Sequence, residues 1–146
     1  MATLLIGCQG TWRELSFTRA RPDPSALVGI WVPTTETLAD MRDVGGYPIS
    51  KHELRLQADG QFSMTNMPDW WREGFGRSSG TFESGAGKWE LREEDGAVGP
   101  AWVIDLEFPQ YGTSVHLVRQ KDPYMIHVYI GDPDSGHAML FERTAQ

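Results

Sequence analysis

The chain has 146 residues, enough for one domain with one real core, and its 40% hydrophobic and 23% charged content is that of a folded protein. A net charge of −7 with only 13 basic residues, scattered along the chain, leaves no clustered cationic surface for phosphate, which excludes nucleic acid as a partner. A single cysteine excludes an intramolecular disulfide and a Cys-based zinc cluster, and no apolar run reaches the ~20 residues that a membrane-spanning helix needs.

The first elements in chain order are not periodic. Leu5-Ile6-Gly7-Cys8 fits the bacterial lipobox, in which aliphatic and small residues precede the cysteine that receives a lipid. Met1 to Leu4 alone stand before it, too few for the charged and apolar regions of a signal peptide. The tetrapeptide is therefore either a chance match or a sign that the true start lies upstream. The second alternative puts the protein in a bacterial cell envelope with lipidated Cys8 as its membrane contact; the first leaves it cytoplasmic. Gln9 to Ser25 has no clean period, ends in Pro22-Asp23-Pro24 and reads as a tether. Residues 1–25 are thus an N-terminal segment and residues 26–146 the domain.

From Leu27 onward, short β-rich runs alternate with turn residues every 8 to 12 residues or so, which is an all-β pattern. The runs are Leu27–Val32, His52–Gln57, Gln61–Thr65, Gly80–Glu83, Lys88–Arg92, Ala101–Phe108, Thr113–Arg119, Tyr124–Ile130 and His137–Arg143. A helix is predicted over Thr35 to Arg42, with Thr34 or Thr35 as its cap and Gly45-Gly46 as its stop.

Because residues two apart on a strand share a face, hairpin partners must agree in parity. A turn at Ala58-Asp59-Gly60, with Gly60 left-handed, pairs Leu56 with Phe62 and Leu54 with Met64. A loop at Pro109–Gly112 pairs Leu106 with Val115 and Ile104 with Leu117. The next loops pair Leu117 with Ile126, Val128 with Met139 and Ile126 with Phe141. Trp102, Ile104, Leu106, Val115, Leu117, Ile126, Val128, Met139 and Phe141 then share one face. A meander of this length leaves exposed edges unless it closes, so the expected fold is an antiparallel up-and-down barrel of about eight strands with one short helix after the first.

Gly29-Ile30-Trp31 on the first strand and Phe141-Glu142-Arg143 on the last resemble the lipocalin and calycin superfamily, most closely the lipocalin-like domains of bacterial proteins. The resemblance implies that Gly29, Trp31 and Arg143 close one end of the barrel. Arg143 would lie against Trp31, and such a stack is worth ~0.5–2 kcal/mol. It also implies a non-enzymatic domain without metal or cofactor that binds a small apolar or amphipathic ligand, either in the barrel interior or at its mouth. The helix after the first strand departs from the usual lipocalin pattern, and no Thr-Asp-Tyr-like motif is present.

The ligand-site candidates lie in the connection Asn66–Arg77. Trp70, Trp71 and Phe75 crowd a Gly/Pro-rich stretch that cannot bury all three rings against its own backbone, with Met67 and Arg72 beside them. They form either a lid that completes the core or the lining of a mouth. A row Asp105–His116–His127, with Glu107 and Ser114 nearby, falls on the opposite face. Two His and a carboxylate are zinc-ligand chemistry, and Ser-His-Asp is hydrolase chemistry. Yet the face is the more polar one, so the row reads as a solvated cross-strand ladder. His52 and His137 sit at strand ends without evident partners. The alternative function is a protein-binding module, such as an inhibitor or toxin-immunity protein, and a packed barrel interior would favour it.

Overall fold

The computed structural model of the chain describes residues 16–43, 51–68, 81–96, 99–129 and 138–145. A 3-10 turn at Pro24–Ala26 leads into β1 (Gly29–Pro33) and the helix α1 (Thr35–Asp43). There follow β2 (Glu53–Leu56), β3 (Gln61–Pro68), β4 (Phe82–Gly96), β5 (Gly99–Glu107), β6 (Gly112–Val118), β7 (Met125–Tyr129) and β8 (Ala138–Arg143). The eight strands neighbour one another in chain order, and β1 pairs with β8 to close an antiparallel barrel. This is the expected fold class, with the helix where it was predicted.

Local chemistry sets the hairpins. Gly60 adopts φ +81°, and Leu56 faces Phe62 as Leu54 faces Met64, the register that parity required. Thr34 caps α1: its hydroxyl accepts the Thr37 amide at 3.2 Å. The Thr37 hydroxyl in turn accepts from the Leu140 amide at 2.8 Å, fastening the helix to β8. Met41 on the helix joins the core, with Leu38 half-buried against it.

Trp31 and Arg143, paired in register on β1 and β8, are held by hydrogen bonds. Trp31 is wholly buried and its indole N–H donates to the Leu27 carbonyl at 2.9 Å. Arg143 is the register partner of Trp31. Its guanidinium donates to the Val28 carbonyl at 3.3 Å and pairs with Asp122 at 3.1 Å. Gly29, at φ +141°, begins β1 in a conformation that side chains rarely adopt.

The common core face is real. Ile104, Leu106, Val115, Leu117, Ile126, Met139 and Phe141 are buried, and Trp102 and Val128 pack half-buried against them. Trp31, Ile104, Leu117 and Met139 retain no accessible surface at all. A side chain lining a water-sized void would retain some, so the interior around these residues is filled.

Two expectations need correction, and β3 adds a feature that the sequence did not show. First, β5 and β6 pair two residues away from the predicted register: Ile104 faces Val115 and Leu106 faces Thr113. The hairpin turns tightly at Pro109-Gln110, because the Phe108 amide bonds the Tyr111 carbonyl at 2.8 Å and the two rings stack at 4.5 Å. Gly112 therefore belongs to the strand. A slip of two keeps every side chain on its face, which is why the core survived the error.

Second, the described end of the run Gly80–Glu83, Phe82 and Glu83, and the run Lys88–Arg92 belong to one strand, β4, continuous from Phe82 to Gly96. Gly85 and Gly87 do not make a turn between them. A Cβ on Gly87 would lie 1.9 Å from the Glu107 carbonyl oxygen and 3.0 Å from the Phe62 ring, and one on Gly85 would lie 3.2 Å from Phe108. The glycines make room for two aromatic rings and for close backbone approach.

The feature in β3 is a bulge between Met64 and Met67, with Asn66 at φ +49°. The extra residue returns Met67 to the core beside Met64, both 4% exposed.

Residues 16–25, assigned to the N-terminal segment, lie against the barrel in the structure. The β5–β6 ladder runs as far as Val103 and His116. Beyond it Thr18 is inserted: its amide bonds the Leu117 carbonyl and its carbonyl accepts from the Trp102 amide, each at 2.9 Å.

Gly87→Ala should lower stability by ~2 kcal/mol or more, because its clash is with backbone, whereas Gly85→Ala meets a ring edge and should cost no more than about 1 kcal/mol. Urea unfolding midpoints of the two variants measure the difference. Trp31→Phe keeps an aromatic ring but removes the indole N–H that the buried Leu27 carbonyl accepts, and should cost at least about 1–3 kcal/mol in the same assay.

Candidate functional site

The end opposite Trp31 is the candidate mouth. There α1 leaves β1, β3 ends at Pro68, β4 begins at Phe82, and β5 turns into β6. A cleft of about 500 Å³ opens here, lined by Phe82, Glu83, Gly85, Phe108, Pro109 and Tyr111 among others. Tyr111 donates its hydroxyl to Glu83 at 3.1 Å, and Phe108 meets Phe62 edge-on at 4.9 Å. The cleft thus has an aromatic wall continuous with the core and a carboxylate at its polar side. Such a mixture suits an amphipathic molecule.

Of the predicted ligand residues, Met67 is buried in the core directly across from Glu83. Trp70, Trp71, Arg72 and Phe75 lie outside the described residues, as does Cys8. The cleft residues Phe82, Phe108 and Tyr111 were not singled out from the sequence. The signal for them was present: aromatic residues on both sides of Pro109-Gln110 are what a tight hairpin with a cross-strand ring pair requires.

His52, read from the sequence as lacking a partner, has one. It is 3% exposed, its ring lies 5.0 Å from Phe82, and its Nδ1 donates to the Asn66 carbonyl on the bulge. Its Nε2 is buried and has no hydrogen-bond partner among the described residues.

The Asp105–His116–His127 row is broken by the register. Asp105 faces Ser114, which donates to it, and it takes a forked pair of bonds from Arg92. Burial alone would push this carboxyl up; the bonds from Arg92 and Ser114 outweigh it and hold it below the ordinary range. His116 faces Val103 on one side and His127 on the other, and its Nε2 lies 3.3 Å from Glu94.

The Asp105–Ser114 end is an exposed cross-strand ladder, whereas the histidine end is covered. Phe17 stacks on His116 at 4.6 Å and meets His127 edge-on at 5.7 Å. Under this cover His127 is 3% exposed. Its burial, with a smaller contribution from neighbouring His116, lowers its pKa to about 4. Burial likewise lowers His116, against the opposing pull of Glu94. Among the described residues no group of His, Cys, Asp and Glu is arranged to hold a metal ion.

No family model matches the chain, no curated protein matches its sequence, and no solved structure matches its fold.

Proposed function

We propose that the chain is a lipocalin-like barrel that binds, without catalysis, a small apolar or amphipathic molecule at its open end. The observation that carries this reading is the cleft of about 500 Å³ beside Phe82, Phe108 and Tyr111, with Glu83 at its polar side. Its size is that of a small-ligand site, and its rings offer flat apolar contact next to a hydrogen-bonding group. The filled interior favours the mouth over the barrel's inside as the site. Trp70, Trp71, Phe75 and Arg72 belong to the connection that follows Pro68, and Met67 is the anchored residue at its start.

The same filled interior supports a second reading, in which the mouth contacts a protein partner. The two separate in one titration with a dansylated undecanoic acid. The ligand-binding reading expects saturable fluorescence enhancement at one site. Phe82→Ala and Tyr111→Ala should each weaken it roughly tenfold, or ~1.4 kcal/mol. No saturable enhancement, or equal affinity in both variants, would overturn ligand binding and leave the protein-partner reading.

A further inference from the structure

We propose that the ligand of the mouth carries a hydroxyl group that bonds Nε2 of His52, reached past the ring of Phe82. The inference rests on the ligand-binding reading of the cleft and names the polar group that this site selects.

The orphaned nitrogen is the starting point. The buried threonines of the barrel are bonded through their side chains. Thr18 donates its hydroxyl to the Arg119 carbonyl at 2.6 Å. The Thr34 hydroxyl donates to that of Thr37 at 3.0 Å, and Thr37 accepts in turn from the Leu140 amide at 2.8 Å. His52 is equally buried, yet only its Nδ1 is engaged, with the Asn66 carbonyl on the β3 bulge. Nε2 is buried with no hydrogen-bond partner among the described residues. A buried nitrogen that bonds nothing loses its hydration and gains no bond, so such an atom points to a partner that arrives from outside the chain.

Its position says where that partner comes from. His52 stands one residue before β2, at the clefted end of the barrel. It continues the alternation of buried Leu54 and Leu56, which puts it on their face of the sheet. Its ring lies 5.0 Å from that of Phe82 and is tilted 56° to it. Phe82 is also a wall of the cleft. One aromatic ring thus touches both the imidazole and the space assigned to the ligand. Phe82 is the first residue of β4 and is half-buried, so its side chain can change rotamer while the β4 backbone stays in its ladder. A molecule seated in the cleft that turns this ring aside gains Nε2 as a polar anchor.

The chemistry of the anchor follows from the imidazole. A hydroxyl donates to a bare ring nitrogen and accepts from a protonated one, so it serves Nε2 in either form. It also enters without the desolvation cost of a charged group. The rings of Phe108 and Tyr111 offer flat contact to the rest of the molecule. The ligand class is therefore a flat apolar body with a hydroxyl at one end.

Two probes of matching shape test this, 2-naphthol and 2-methylnaphthalene, which exchange a hydroxyl for a methyl. Each competes with dansylated undecanoic acid on the full chain near neutral pH. 2-Naphthol should displace the dansyl probe at about tenfold lower concentration. Hydrophobicity alone runs the other way, because the methyl is the more apolar group. In His52→Phe the advantage should fall below about threefold. Displacement by neither compound, no advantage for 2-naphthol, or an advantage that survives in His52→Phe would overturn the hydroxyl anchor. Should His52→Phe not fold, the imidazole nitrogen resonances of the unaltered chain decide. 2-Naphthol should move the Nε2 signal of His52 several times further than 2-methylnaphthalene does. Equal movement, as expected if a water molecule alone serves Nε2, would overturn the proposal. The two failures are separable: if the dansyl probe itself does not bind saturably, ligand binding at the mouth falls and takes the anchor with it, whereas saturable binding without a preference for 2-naphthol removes the anchor alone.

Discussion

Eight strands in chain order leave two raw edges, and everything else in this structure depends on those edges finding each other. Trp31, Val32 and Pro33 of β1 pair with Arg143, Glu142 and Phe141 of β8. The contact continues past both strand ends: the Thr34 amide bonds the Leu140 carbonyl at 2.9 Å, and the Thr144 amide bonds the Ile30 carbonyl at 2.8 Å. Unpaired strand edges expose a row of backbone donors and acceptors that invite aggregation, and closure removes them. Closure also fixes the volume inside. Every inward side chain must then fit a space whose walls cannot spread.

That fixed volume explains the irregular strands. Phe62 and Phe108 fit because β4 has no Cβ at Gly87 and Gly85. The Asn66 bulge in β3 gives one residue of slack, so Met64 and Met67 both reach the inside. These irregularities lie on the side of the barrel where the cleft opens, and Phe108 serves as both core filler and cleft wall. The interior around Trp31 is packed by comparison. Phe108 and Phe82 thus form an aromatic wall of the cleft that is continuous with the core.

The period of two made most of this fold legible in the residues. Leu54, Leu56, Phe62 and Met64 form a hairpin whose turn chemistry and parity agree, and the structure reproduces it pair for pair. Register inside a loop is less legible, because parity is blind to even slips: Leu106 moved from Val115 to Thr113 without changing face. Glycine was the other source of error. Gly85 and Gly87 look like a turn in sequence, and only the rings of Phe62 and Phe108, brought close by the fold, show that they are space left empty. The cover over His116 and His127 was illegible for a similar reason. Phe17 sits about a hundred residues away in an aperiodic segment, and no local pattern couples it to β6 or β7.

The candidate site divides along the same line. The resemblance pointed to Gly29, Trp31 and Arg143 as closing residues, and the structure puts Trp31 and Arg143 in register. The cleft was not, since it is made by tertiary apposition of β4 with the Phe108–Tyr111 turn. The central claim beneath all of this is that β1 and β8 join. Through-hydrogen-bond scalar couplings in a long-range HNCO experiment test it most directly. Closure predicts a coupling from the Thr34 nitrogen to the Leu140 carbonyl carbon, and another from Thr144 to Ile30. Absence of both, with fast exchange of those two amides, would mean an open sheet and contradict the account.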